Sequence, residues 1–231
     1  MMKMLSTVLA LTLLNLLAFA AHAQRGQTEG INDNYKAPDL NVKEWVERFE
    51  GEAREVFVLR KEIVAALELK DGDRVADVGA GTGLFVPLLA NRVGPRGKVY
   101  AVDIVPGFIE HIAKKAKEDK LPQVAAVLSN ERSTELPANS VDMIFTSDAY
   151  HHFVHYQDML ASMHKALKPG GQLIVIDFDI EAKGLEPWIV EHVGQTKAVF
   201  AQQIEAGGFA LSKDLTLPGM KASFMYRFTR K

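Results

Sequence analysis

An α/β fold, a doubly wound mixed sheet with helices on both faces, is what this sequence predicts, on three observations. From Arg74 onward, short runs rich in Val, Ile and Ala alternate with amphipathic stretches, the pattern of parallel strands joined by crossover helices. The first such run passes into VGAGTG, residues 78–83, a glycine-rich turn at the strand end where open α/β sheets bind ligands. The chain then closes on two apolar runs separated by Pro218-Gly219, which adds an antiparallel edge.

Each element follows from local chemistry. Trp45, Val46 and Phe49, then Val56, Phe57, Ile63, Val64 and Leu67, recur at spacings of three and four, which predicts two helices over 41–50 and 52–68 divided by Gly51. Arg74–Val78 reads as a buried strand. Residues 84–93 read as a helix, with Pro87 tolerated in its first turn. Residues 98–102 form a strand, and 106–117 a helix opened by Pro106. Val124–Leu128 and 141–146 are the third and fourth strands. A helix over 155–167 stops at Pro169-Gly170-Gly171, a fifth strand covers 172–178, and a helix over 195–206 ends at Gly207-Gly208. Strands over 209–217 and 222–229 make seven, in one domain from 42 to 231.

The first 23 residues differ in kind. Lys3 gives a basic start, Leu5 to Ala20 is almost wholly apolar, and Ala21-His22-Ala23 is a small-x-small pattern before Gln24. That is the layout of a secretory signal peptide, with a core shorter than the ~20 residues of a spanning helix. The expected product is exported to the periplasm or secreted, without a stable membrane anchor after cleavage; it is cytoplasmic if the signal is not used. Residues 24–41 are polar and rich in Gly, Asn and Asp, and read as a flexible lead-in.

Composition removes several classes of function. The 231-residue chain contains no cysteine, which excludes disulfides, Cys-ligated zinc, iron–sulfur clusters and thiol nucleophiles. Its formal net charge of −2 provides no global positive field for nucleic acid, which is not an expected partner.

The glycine turn narrows the ligand. Asp77 ends the first strand, and Gly79, Gly81 and Gly83 permit close backbone approach. A dinucleotide fingerprint needs glycine at 84, where Leu84 stands; a phosphate loop needs a Gly-Lys-Ser/Thr that is absent. Asp103 ends the next strand, twenty residues beyond Gly83, where a carboxylate can accept from ribose hydroxyls. The ligand asked for carries a ribose and a small charged end, without a pyrophosphate; S-adenosylmethionine meets that description.

With VADVGAGTG at 75–83, VYAVDI at 99–104, ELP at 135–137, SVDMIFTSDAYHHF at 140–153 and LKPGGQLIVIDF at 167–178, the chain resembles the class I S-adenosylmethionine-dependent methyltransferases. It is most similar to the small-molecule group that includes ubiquinone and menaquinone methyltransferases. The resemblance implies a Rossmann-like sheet, S-adenosylmethionine as cofactor, and methyl transfer to a small-molecule acceptor. It places Asp77, Gly79, Gly81 and Gly83 at the methionine end, Asp103 on the ribose, Ile104 on the adenine face and Asp148 between cofactor and substrate. The acid that such enzymes use to read the adenine amino group falls on Arg132 here, so Asn130 or Glu131 substitutes for it.

Tyr150, His151 and His152 are the candidate catalytic residues, any of which could act as a general base; the alternative is that His152 and Tyr150 only pack. His151 and His155 are four apart, but no third ligand accompanies them, and no metal is expected. Trp45, Phe49 and Phe57 either roof the pocket or pack as an ordinary amphipathic face. Arg54 and Arg60 could meet the cofactor carboxylate, while Glu191 and His192 lie where substrate contacts vary. Two other functions compete with methyl transfer. One is a non-catalytic S-adenosylmethionine- or S-adenosylhomocysteine-binding protein on the same fold, and the other a nicotinamide-dependent oxidoreductase, which Leu84 disfavours.

Overall fold

A computed structural model of the protein describes residues 29–37 and 39–231; the signal peptide expected over residues 1–23 lies outside the described residues. Three helices precede the sheet: α1 (Val42–Phe49), α2 (Glu55–Val58) and α3 (Arg60–Ala66). Then come β1 (Arg74–Val78), α4 (Val86–Val93), β2 (Lys98–Asp103), α5 (Pro106–Glu118), β3 (Val124–Leu128) and β4 (Val141–Ser147). The chain continues with α6 (Tyr156–Ala166), β5 (Leu167–Phe178), α7 (Pro187–Val193), α8 (Lys197–Ala206), β6 (Phe209–Asp214) and β7 (Ser223–Arg230).

The seven strands lie in the order β3-β2-β1-β4-β5-β7-β6. β1 pairs in parallel with β2 and β4, while β7 runs antiparallel to both β5 and β6. The chain steps outward from β1 to β3, then returns to place β4 on the other side of β1. Successive crossovers therefore diverge between β1 and β4, and this topological switch opens a crevice above the strand ends.

Strand alternation divides the core between the two faces. Val75, Val99, Phe145 and Ile174 face one way, against Ile63 of α3, Leu89 of α4 and Ile112 of α5. Ala76, Ile144, Leu173 and Val175 face the other, against Leu160 of α6 and Phe200 and Ile204 of α8. The doubly wound seven-stranded architecture is the one expected.

Four local expectations are corrected. The helix expected over 52–68 begins only at Glu55 and breaks at Leu59. Arg54 before it is extended, and its side chain is spent on an ion pair rather than on a helical turn. β5 begins at Leu167, not 172, because Gly170 at φ +73 lets the Pro-Gly-Gly segment loop out between the pairs Val141–Leu167 and Met143–Gln172. α7 was not expected, although Pro187 at its start and left-handed Gly194 at its end are the usual boundary residues. The lead-in, expected to be flexible, is tied down at Asn32 and Tyr35 within its described part, residues 29–37 and 39–41, while much of the rest is exposed. A 3-10 turn spans Asp33–Tyr35, Asn32 is buried, and the Tyr35 ring lies 4.7 Å from that of Trp45.

Candidate functional site

A cavity of about 340 Å³ sits over the C-terminal ends of β1, β2 and β4, within the usual size range of small-molecule sites. Its floor includes Gly79, Gly81, Asp103 and Ile104; Tyr35, Trp45, Phe49 and Arg54 roof it; His151 and His192 close one side. Phe57 is not among the lining residues, so the roof is made by α1, the chain before it and Arg54.

The glycine turn holds its shape through positive φ, +77 at Gly79 and +54 at Gly81. A Cβ on Gly79 would lie 2.5 Å from that of Ala149, and one on Gly81 would lie 3.5 Å from the Phe49 ring, in the gap between turn and roof. Gly83 does something other than expected. It does not line the cavity; a Cβ there would meet Ile112 at 2.9 Å, so Gly83 serves close packing of the turn on α5. Thr82 donates to Glu50 at 2.7 Å and ties the turn to the end of α1.

Two acids stand beneath this turn. Asp103, 7% exposed, accepts from the amides of Gly81 at 2.8 Å and Val105 at 2.9 Å. Burial nevertheless outweighs those amides and lifts its carboxyl to about 6. Asp77, 2% exposed, is pushed up to about 8 by burial and by the nearby Asp103. Both carboxyls thus hold a proton more tightly than a free side chain, and Asp77, which accepts no amide among the described residues and has Asp103 beside it, holds it the more tightly of the two.

The end of β4 supplies a second polar group. Asp148 adopts φ +50, uncommon for a residue with a side chain. Its Oδ2 accepts from Arg54 Nη2 at 2.6 Å, while its Oδ1 and the Ser147 hydroxyl have no partner among the described residues. Burial raises the Asp148 carboxyl despite Arg54. Arg60 instead donates to the Phe57 carbonyl and stacks on that ring.

The turn after β4 separates the three catalytic candidates. Tyr150 does not line the cavity: it is 1% exposed, within the core against Phe153 and Phe200, and donates to Gln203 at 3.3 Å. Burial raises its hydroxyl well above the ordinary value, so the expectation that it could act as a base is corrected. His151 lines the cavity, and its Nδ1 lies 2.7 Å from Oδ1 of the buried Asp177 on β5. Asp177 Oδ2 accepts from the backbone amide of His151 as well. His152 also lines the cavity, with Nδ1 3.1 Å from Asn32 Oδ1. Burial, then the neighbouring imidazoles, lower His152 to about 2, so it is neutral.

His192 of α7 completes a cluster: its ring centre lies 5.2 Å from that of His151 and 5.1 Å from that of His152. His155 does not take part in it. The grouping of His151 with His152 and His192 was not foreseen in the sequence, where His155 was the neighbour considered. Of the two adenine candidates, Glu131 lines the cavity and is held by Lys36 and Asn32. Asn130 does not line it, and instead donates to Glu135 and accepts from the Arg132 amide. Asp177, Asn32 and Ser129 were missed by sequence reasoning. Asp177 had a signal, a lone acid inside the apolar run LIVIDF.

These residues fit S-adenosylmethionine. A carboxylate offers about four lone-pair sites; Asp103 spends one on each oxygen, leaving acceptors for two ribose hydroxyls. Ile104 and Phe108 supply apolar surface beside it. The unpartnered Ser147 Oγ and Asp148 Oδ1, with Arg54 beside them, match the ammonium and carboxylate of a methionine end.

Comparison with known proteins agrees with that fit. Residues 75–171 match the family described as "Methyltransferase domain". The demethylmenaquinone methyltransferase of Listeria welshimeri is 31% identical over 118 residues, 51% of this chain and 50% of that protein. The Geobacillus stearothermophilus demethylmenaquinone methyltransferase is 29% identical over the same length. The chain thus spans about half the length of the curated relatives it matches. A crystal structure of a SAM-dependent methyltransferase from Aquifex aeolicus superposes with a TM-score of 0.73 at 26% identity, over 84% of this chain and all of that one. Sheet order, glycine turn and these likenesses agree: residues 75–171 are similar to the methyltransferase-domain family, on a sheet that superposes on that of a SAM-dependent methyltransferase.

Proposed function

We propose that the protein transfers a methyl group from S-adenosylmethionine to a small-molecule acceptor that enters beside α7. The observation that carries this reading is one cavity that holds the buried Asp103 at one end and the unpartnered Ser147 and Asp148 oxygens at the other. When bound, the cofactor supplies a methyl group activated by a positive sulfur. Asp103 holds the ribose, Asp148 and Arg54 hold the amino-acid end, and the roof of Tyr35, Trp45 and Phe49 excludes water. Catalysis is then chiefly alignment in a dry pocket. His151, backed by Asp177, is the group in position to take a proton from the acceptor.

The aromatic roof and the exposed Trp188 beside His192 favour a planar acceptor. The named activity of the curated relatives makes demethylmenaquinone and simpler hydroxylated aromatics the first acceptors to assay. Calorimetric titration with S-adenosylhomocysteine tests the cofactor site, and transfer of a labelled methyl group to that panel tests the reaction. Absence of S-adenosylhomocysteine binding would sink the reading. The N-terminal pattern further supports export of the chain after removal of residues 1–23.

A further inference from the structure

We propose that His151, His152 and His192 form a three-nitrogen site for a divalent transition-metal ion, with Zn²⁺ as its probe, whose open position takes a hydroxyl oxygen of the acceptor. The second half of that statement rests on the methyl-transfer reading; the metal site does not. One ring nitrogen from each histidine lies within 4.8 Å of those of the other two. An ion bound at ~2.0–2.1 Å in tetrahedral geometry needs its nitrogens roughly 3.3 Å apart. Closing to that spacing asks most of His192, whose ring centre stands 5.2 and 5.1 Å from the others against 4.3 Å between His151 and His152. His192 is the least buried of the three, on a seven-residue helix between Gly184 at φ +83 and Gly194 at φ +67.

The hydrogen-bond network sets the tautomers. Asn32 spends its amide N–H groups on Glu131 and on the His152 carbonyl, so its Oδ1 can only accept. His152 Nδ1 at 3.1 Å must therefore carry the proton, and Nε2 keeps its lone pair. Asp177 does the same for His151, accepting from Nδ1 at 2.7 Å. A buried carboxylate or amide that fixes the distal nitrogen of a histidine is the arrangement that supports metal-bound imidazole. Plain packing needs neither tautomer fixed.

The donor set also speaks to the ion. Three imidazoles, in a chain without cysteine, suit zinc, copper or nickel rather than magnesium or calcium, which prefer oxygen. Three protein ligands with one open position is the form that metal sites take when they bind a reactant. All three histidines line the cavity, so an ion they held would be reached from it. With an ion bound, His151 would be a ligand and no longer the base; a phenol- or enol-type hydroxyl bound there would instead ionise as it enters, its proton leaving to solvent before the pocket closes, and its oxygen would be held in one place.

The test uses tag-free protein stripped with chelator, titrated with Zn²⁺ against a chromophoric competitor, with Co²⁺ absorption as a second readout. The expected result is one equivalent bound at micromolar affinity or better, a visible Co²⁺ band, and binding weakened at least about tenfold in His192→Ala and Asn32→Ala. Loss of stoichiometric binding, or one-equivalent binding that survives His192→Ala unchanged, overturns the site. S-adenosylhomocysteine titration of the same samples separates the two claims. Zn²⁺ binding without S-adenosylhomocysteine binding keeps the metal site and removes the methyl-transfer reading; the reverse removes the metal site alone.

Discussion

Asp103 shows how burial turns a carboxylate into a sensor of its own ligand. Its folded value of about 6 stands above the 3.8 of the free side chain because burial outweighs the Gly81 and Val105 amides. The folded state therefore holds this proton more tightly than the unfolded chain, and the stability it contributes is present below pH 3.8 and lost as pH rises through about 6. Ribose hydroxyls donate to the ionised form, so cofactor binding gains over the same rise. Calorimetry should show S-adenosylhomocysteine bound about tenfold more weakly at pH 5 than at pH 7, as one linked proton requires. Asp103→Asn should lose about tenfold to hundredfold in affinity and flatten that dependence. Gly79 makes a steric prediction. Alanine there must hold φ +77 with its Cβ 2.5 Å from Ala149, at a cost of about 2 kcal/mol. A melting point lower by about 4–8 °C in a thermal scan checks it. Asp103 and the glycines were legible because they sit at strand ends, where position alone dictates exposure to ligand. Tyr150 and His151 were not separable, because a single 3-10 turn points neighbours in different directions and no periodicity in the sequence marks it.

At the scale of elements, the roof is fastened by one side chain. Glu55, the first residue of α2, accepts three backbone amides where the last turn enters β7, from Lys221 at 2.6 Å and from Ala222 and Ser223 at 3.1 Å. These bonds link the segment that carries Arg54 to the antiparallel edge of the sheet. Three bonds to one carboxylate are worth about 1.5–3 kcal/mol together where water can partly replace them. Glu55→Ala should lower the unfolding free energy by that amount, read as a lower urea midpoint with the slope of the transition unchanged, and should weaken the Arg54–Asp148 contact on which the methionine end depends. No local signal announced this anchor, since a glutamate at a helix start reads as ordinary charge–dipole pairing. The strands were legible for the opposite reason. β1 and β3 have the bounds expected of them: β1 because a strand buried on both faces must be a short, largely apolar run, and β3, the half-buried edge strand, because VAAVL is a continuous apolar run bounded by polar residues. α7 was hidden because seven residues with a Trp and a Val turned to solvent carry little helical periodicity.

Over the whole molecule, the alternation of strands and helices was enough to foresee parallel pairing and two covered faces, since that arrangement alone buries both sides of such a sheet. What alternation does not encode is which distant segments meet across the crevice. Residues 29–41 illustrate the gap: their polarity predicts a loose lead-in, yet Asn32 reaches Glu131 and His152, and Tyr35 packs on Trp45, Phe49 and His152. A polar segment can be held by hydrogen bonds inside a site as firmly as an apolar one is held by burial, and composition does not distinguish that from solvation. The consequence is a difference between two truncations. A chain starting at Gln24 keeps every one of these contacts and should bind S-adenosylhomocysteine as the full chain does. A chain starting at Val42 keeps the sheet and both cores but loses the Tyr35 side of the roof and the fixed tautomer of His152. It should bind S-adenosylhomocysteine at least about tenfold more weakly, the loss of one well-packed aromatic contact and a buried hydrogen bond, with Trp45 emission shifted to the red as water reaches its ring. Equal affinity in the two truncations would show that the roof plays no part in holding the cofactor.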